Sequence, residues 1–288
     1  SAIRNPTLQD QYLYYNVGRA ILIGNLRGSD SLVTIQSFQD YSGNLNPALL
    51  GWFNVPPVRP EKVKTLEIGY KGIIRNKVYI DGSAYVSWYQ DFLGYRIGAA
   101  VQTFDGVYYS IKQVYRVSAN SPDEVMTYGL AAGFSYFFVR NYSLSGNYCW
   151  NRLDKRGSDD PVIPAYNTPE HKFNVGISGK DIKIKTVKGF GFNINYKYIH
   201  GFTFEGSPQF SGTIPSYSLL DAQISWECQK IYTTFKIGSS NLISKKNYQT
   251  YGGPAVGRMV YGSILVNLDQ EIFEQKLRKG YQNVKTEW

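Results

Sequence analysis

The sequence is short of the groups that most site chemistry and several fold classes need. Two Cys among 288 residues exclude a disulfide scaffold and a Cys-built zinc ribbon. Two His leave too few ligands for a His-built metal centre. Charged residues make up only 18% of the chain, too few for a coiled coil or a disordered tail. No run approaches the roughly 18 apolar residues of a membrane-spanning helix, and the mean hydropathy is negative. That absence leaves a transmembrane β-barrel open, because a barrel hides its lipid-facing residues in alternation. The opening Ser1-Ala2-Ile3-Arg4-Asn5-Pro6 has no initiator Met and no signal-peptide pattern.

What is present is aromatic. Phe, Trp and Tyr reach 16%, with 25 Tyr against 5 Trp, and 28 Gly argue further against a helical bundle. The net charge of +9 invites a nucleic-acid reading, but the basic residues are scattered. Their small groups fall at turns (Arg75/Lys77, Arg140, Lys183/Lys185/Lys188, Lys230, Lys245/Lys246), so they read as solvated turns and no nucleic-acid partner is expected.

Period-two alternation recurs from residue 66 almost to the end. In 78–90, Val78, Ile80, Gly82, Ala84, Val86 and Trp88 alternate with Tyr79, Asp81, Ser83, Tyr85, Ser87 and Tyr89. The same pattern marks 126–138, 142–151 and 190–198, with weaker copies at 66–75, 171–178, 216–226, 231–239 and 258–268. These are about nine strands, many of them longer than the usual five or six residues and close to the length that crosses a bilayer.

The connections alternate as well. Short turns at Arg75–Lys77, Val139–Asn141, Gly179–Lys188 and Gln229–Lys230 take turns with long segments at about 99–125, 153–168, 202–215 and 244–256. Short turns on one rim and long loops on the other are the layout of an outer-membrane barrel. The expected fold is therefore all-β, an antiparallel transmembrane barrel in the bacterial outer membrane. Alternation alone does not say which face points outward; strand length and loop sorting carry that decision.

Nine strands is an odd number, and the first of them descends from a long loop. The expected organisation is a long extracellular loop at 1–65, barrel strands at 66–268 and a periplasmic extension at 269–288. In that extension Ile272, Phe273, Lys276 and Leu277 share one side of a short helical pattern that Gly280 would stop. Such a chain is expected to be the C-terminal portion of a larger or split barrel.

Several segments, in order, resemble TonB-dependent outer-membrane receptors of the Bacteroidota style. They are Arg4-Asn5-Pro6-Thr7-Leu8-Gln9-Asp10-Gln11, then Asn46-Pro47, Arg59-Pro60-Glu61 and Leu66-Glu67-Ile68-Gly69-Tyr70. Tyr251-Gly252-Gly253-Pro254-Ala255-Val256-Gly257-Arg258 is similar to that family's closing segment. The resemblance implies a barrel of about 22 strands filled by a plug. It also implies energised uptake of a scarce nutrient (siderophore, vitamin, glycan or peptide) and a TonB complex engaging a segment upstream of this chain. Outer-membrane lipid, and a surface lipoprotein or envelope subunits, are the other implied partners. The alternatives are a non-transporting barrel subunit of an envelope assembly or secretion complex, and a soluble carbohydrate-binding β-sandwich.

No catalytic motif, metal ligand set or cofactor is expected. His171 and His200 stand in or beside strands without a nucleophile motif, and Asp154 with Asp159-Asp160 reads as a solvated acidic turn. Cys149 and Cys228, on different strands near opposite rims, are expected to stay free thiols. Ligand capture is expected in the loops. The candidates are Tyr12, Tyr14, Tyr15, Trp52, Phe53, Tyr108, Tyr109 and Arg116, because rings beside a guanidinium suit stacking on sugars, chelators or peptides. Phe38, Tyr41, Phe104, Tyr115, Phe202, Phe204, Tyr248 and Tyr251 are similar ring positions.

Overall fold

The computed structural model describes residues 1–105, 108–139, 141–154, 162–164, 166–205 and 211–267. Arg140, the Asp159-Asp160 pair and the 269–288 extension lie outside the described residues. Ten antiparallel strands form one sheet, the wall: β1 (Ala2–Arg4), β2 (Glu61–Ile74), β3 (Val78–Gln90), β4 (Val125–Val139), β5 (Tyr142–Asp154), β6 (His171–Ile184), β7 (Val187–Ile199), β8 (Tyr217–Cys228), β9 (Thr233–Ser240) and β10 (Met259–Val266). In this sheet each strand pairs with its sequence neighbour. All nine strands read from alternation are here, and Ala2–Arg4 adds a short tenth at the edge.

The wall carries its apolar side chains on the surface. Leu66, Ile68 and Tyr70 are 66%, 75% and 65% exposed. One lateral row on that face reads Ile80, Phe134, Gly146, Val175, Tyr196, Leu220 across six neighbouring strands. A Cβ on Gly146 would meet the Phe134 ring, so the ring lies across the gap the glycine leaves. The opposite face carries Lys71, Asp81, Gly133, Asn147, Asn174 and Lys197 in register. There Lys71 pairs with Asp81 at 3.3 Å and the Asn174 amide donates to Asn147 Oδ1 at 2.8 Å. An apolar outside around a hydrogen-bonded polar inside is the arrangement of a barrel in lipid, the reverse of a water-soluble sandwich.

The short rim is built from tight turns. Arg75 and Asn76 both have positive φ (49° and 52°), the two-residue turn whose twist matches antiparallel strands. The turn expected at Gly179–Lys188 is smaller than that. β6 runs on to Ile184 and β7 starts at Val187, leaving Lys185 and Thr186 between them. Two register shifts, after Gly179 and after Ile182, absorb the left-handed Asp181 (φ 50°) within the ladder. A run of Lys and Asp concealed strand continuation there.

The larger correction concerns the long connections. Much of the segments expected as loops at 1–65 and 99–125 folds into a second sheet on the long rim. Its strands are Tyr14–Asn16, Ile21–Ile23, Ser29–Val33, Trp52–Val55 and the hairpin Leu93–Phe104/Tyr108–Asn120, with Ile163–Pro164 added. Helix α1 (Leu8–Tyr12) and helix α2 (Ile35–Asn44) belong to the same region. The aliphatic core sits in this cap. Leu32, Val55, Val117, Ala119 and Val162 cluster in one part, and Val33, Tyr41 and Leu50 in another. Alternation is blurred in these strands because both faces are covered; Arg96, for example, lies 3.6 Å over the Phe53 ring.

Polar contacts anchor the cap on the wall. Buried Glu61 accepts the Leu93 N–H at 2.9 Å and contacts Arg4 at 3.4 Å. The Asn120 amide donates to the carbonyls of Arg59 and Asp91, while its Oδ1 accepts the Arg59 N–H. The Arg59–Asp91 ion pair (2.8 Å) closes the base of the hairpin.

Candidate ligand-capturing face

Arg116 stands apart, and the other seven of the eight candidate residues divide into two groups at two parts of the cap. Around its entry, α1 and the strand Tyr14–Asn16 present Tyr12, Tyr14 and Tyr15 to solvent, at 62%, 71% and 60% exposure. A capping box holds α1. Thr7 Oγ1 accepts the Asp10 N–H while Asp10 Oδ2 accepts the Thr7 N–H and hydroxyl. Gly24 then permits close packing, since a Cβ there would collide with the Gln11 backbone. In register, Tyr15 lies beside Leu22, and Leu22 pairs in parallel with Arg116.

The second group sits toward the hairpin tip. Tyr108 and Trp52 are exposed, while Tyr109 is held inside an aromatic chain. Phe38 meets Tyr41 and Tyr41 meets Tyr109, each with ring centres 5.7 Å apart; Trp52 meets Tyr109 at 6.2 Å. The Tyr41 hydroxyl accepts the Tyr109 N–H at 2.8 Å. Tyr109 and Phe53 thus pack α2 and the neighbouring strand onto the hairpin, while Trp52 and Tyr108 keep free ring faces.

Arg116 occupies a different setting from the exposed tyrosines. Its guanidinium stacks 3.6 Å over the Tyr95 ring. Burial is the main reason its pKa is drawn below the usual arginine range. Tyr95 donates its hydroxyl to Glu205 Oε2 at 2.7 Å, and the Glu205 backbone exchanges two hydrogen bonds with the Asn167 amide. These contacts tie the hairpin, the segment 166–170 and the small hairpin Phe202–Glu205/Ser211–Ile214 to one another. Burial, then the bond to Glu205, pushes the Tyr95 hydroxyl up to about 12. Burial likewise raises Tyr166, beside Tyr85 and Tyr89. Sequence reasoning missed Tyr95, Asn167 and Glu205. Tyr95 and Glu205 are 110 residues apart, and neither stands in a motif.

On the polar face of the wall a hollow of about 610 Å³ is lined by Asp81, Asn147, Lys172, Asn174, Lys197 and Tyr217. His171 and His200 come together on the other face. Their rings are 5.5 Å apart, and each Nδ1 is bonded to a tyrosine hydroxyl, Tyr148 and Tyr198 respectively. Among the described residues no group of three or more His, Cys, Asp or Glu assembles into a metal site. Cys149 and Cys228 are free.

The family model described as TonB dependent receptor-like, beta-barrel matches residues 1–242. Solved structures similar in fold include the copper transporter OprC (TM-score 0.53, 13% identity), covering 72% of this chain and 31% of that one. The FrpB iron transporter from Neisseria meningitidis (TM-score 0.51, 13% identity) covers 73% and 32%. The siderophore receptor PirA from Acinetobacter baumannii (TM-score 0.51, 13% identity) covers 72% and 32%. This chain therefore spans about a third of the length of these similar structures. No curated protein matches the sequence. With more than two thirds of its length matched, and with a lipid-facing wall of barrel strands, the chain belongs to the TonB-dependent receptor β-barrel family of the bacterial outer membrane.

Proposed function

We propose that this chain forms the C-terminal wall and part of the ligand-capturing cap of a receptor that takes up a scarce nutrient. In this reading the cap is extracellular, 269–288 is periplasmic, and TonB acts through a plug contributed upstream. The observation that carries the reading is the pairing of a polar inner wall with a folded cap of exposed rings. Lys71, Asp81, Asn147, Asn174 and Lys197 supply a wet inner surface, and Tyr12, Tyr14, Tyr15, Trp52 and Tyr108 supply stacking faces above it. Stacking suits ligands with flat or sugar-like faces, so chelated metals head the candidates, in keeping with the names of the similar transporters.

The test is uptake of radiolabelled ferric and cupric chelates by cells carrying the full-length receptor, with and without TonB. Energised uptake that disappears with TonB and falls several-fold in a Tyr12→Ala/Tyr14→Ala/Tyr15→Ala variant supports the proposal. Receptor-dependent growth or envelope phenotypes without any TonB-dependent uptake would instead support the barrel-subunit alternative.

A further inference from the structure

We infer that the cleft between α1 and the hairpin base is a binding site for a single carboxylate attached to an apolar body. This inference rests on the capture reading above and names the chemistry of one part of the ligand. The cleft measures about 310 Å³, and Arg4, Asp10, Leu22, Leu93, Tyr95 and Arg116 are among its lining residues. That volume is at the small end of ligand pockets, enough for a short or single-ring group.

The charged groups of the cleft are unequally committed. Arg4 is engaged with Glu61. Asp10 spends its carboxylate on the α1 capping box. Tyr95 gives its proton to Glu205. Arg116 is the exception: among the described residues it makes no ion pair, and its buried Nε–H has no acceptor. Removing a guanidinium from water without an acceptor is unfavourable, and the Tyr95 ring face compensates only in part. Glu205 and Asp10 act on Arg116 through space, as their favourable influence on its charge shows.

A planar carboxylate answers this deficit. It can accept two N–H groups of one guanidinium at once as a two-point fork, which a lysine could not provide. Among the described residues Arg116 is the cleft cation without an ion pair, and it calls for no more than one further negative charge. A dianionic phosphate would leave surplus charge facing Asp10 and Glu205. The aliphatic residues Leu13, Leu22, Ile23 and Leu93 favour an apolar body behind the carboxylate.

The experiment uses the detergent-solubilised full-length receptor and 4-fluorobenzoate as the probe, followed by fluorine NMR line broadening. Saturable binding is expected, displaced by benzoate but not by benzamide or inorganic phosphate. Arg116→Gln should weaken binding at least tenfold, and Arg116→Lys should recover only part of it. Lys230→Gln, in the short turn Gln229–Ile231 on the opposite rim, should leave it unchanged. Heat-modifiable gel mobility verifies that each variant still forms a barrel. Non-saturable binding, equal binding by folded Arg116→Gln, or stronger displacement by phosphate than by benzoate would each overturn the inference. Probe binding without any TonB-dependent uptake would defeat the transport proposal and leave the cleft standing; uptake without probe binding would do the opposite.

Discussion

The orientation of the wall is best tested at two consecutive residues of β7. Ile194 is 42% exposed on the apolar face, with Ile177 and Ala222 as its lateral neighbours. Asn195 points to the polar face, between Gly176 and Asp221. Phe190 and Phe192 precede Ile194 on its face and Tyr196 and Tyr198 follow it, so it sits mid-strand on the apolar face. It lies five residues from Ile199 and seven from Val187. At about 2.3 Å of height per residue for a strand tilted about 45°, the ends are roughly 12 and 16 Å away. That is further than a lysine ammonium can snorkel. Ile194→Lys should therefore destabilise the barrel by about 2–4 kcal/mol, or about 30- to 900-fold in the folding equilibrium. Asn195→Lys places the same charge in the wet interior beside Asp221 and should change stability by about 0.5 kcal/mol or less. Urea titration of the full-length receptor folding into lipid vesicles, followed by tryptophan fluorescence, measures both. Equal losses, or a larger loss for Asn195→Lys, would refute the outward assignment of the apolar face.

Two further outcomes follow from the cap. Because its pKa is raised from 10 to about 12, Tyr95 contributes stability that is complete below pH 10 and lost as pH rises through about 12. In an ultraviolet titration of tyrosine ionisation, Tyr95→Phe should delete one late-titrating group; an unchanged curve would contradict the Glu205 clasp. Gly24→Ala forces a methyl group against the Gln11 backbone and should destabilise the local fold by about 1–3 kcal/mol. Hydrogen exchange should then quicken at residues 8–13 and 21–24 while β2 to β9 keep their protection, whereas uniform exchange across the chain would show that α1 is not separately seated.

Much of the wall was legible because each strand declares itself locally. Val175 and Ile177 alternate with Asn174 and Ser178 whatever surrounds them, and Arg75-Asn76 supplies its own turn chemistry. The cap was not legible as a folded unit. Its Tyr14–Asn16 and Ile21–Ile23 strands have three residues each, too short for periodicity to show, and the hairpin buries residues from both faces. The candidate site fared similarly. Composition singled out Tyr12, Tyr14 and Tyr15 as candidates and they stand exposed, but composition could not separate exposed Tyr108 from packed Tyr109.

By itself the sequence determined strand period, the alternation of long and short connections and the scarcity of metal-binding and thiol chemistry. Those depend on side-chain direction reversing at each residue and on turn residues acting within a few positions. Only the tertiary structure decided that the long connections form a second sheet and that Arg116 lies half-buried over Tyr95. Those depend on contacts such as Arg116 with Tyr95, Tyr95 with Glu205 and Leu22 with Arg116, made between segments that carry no local record of each other.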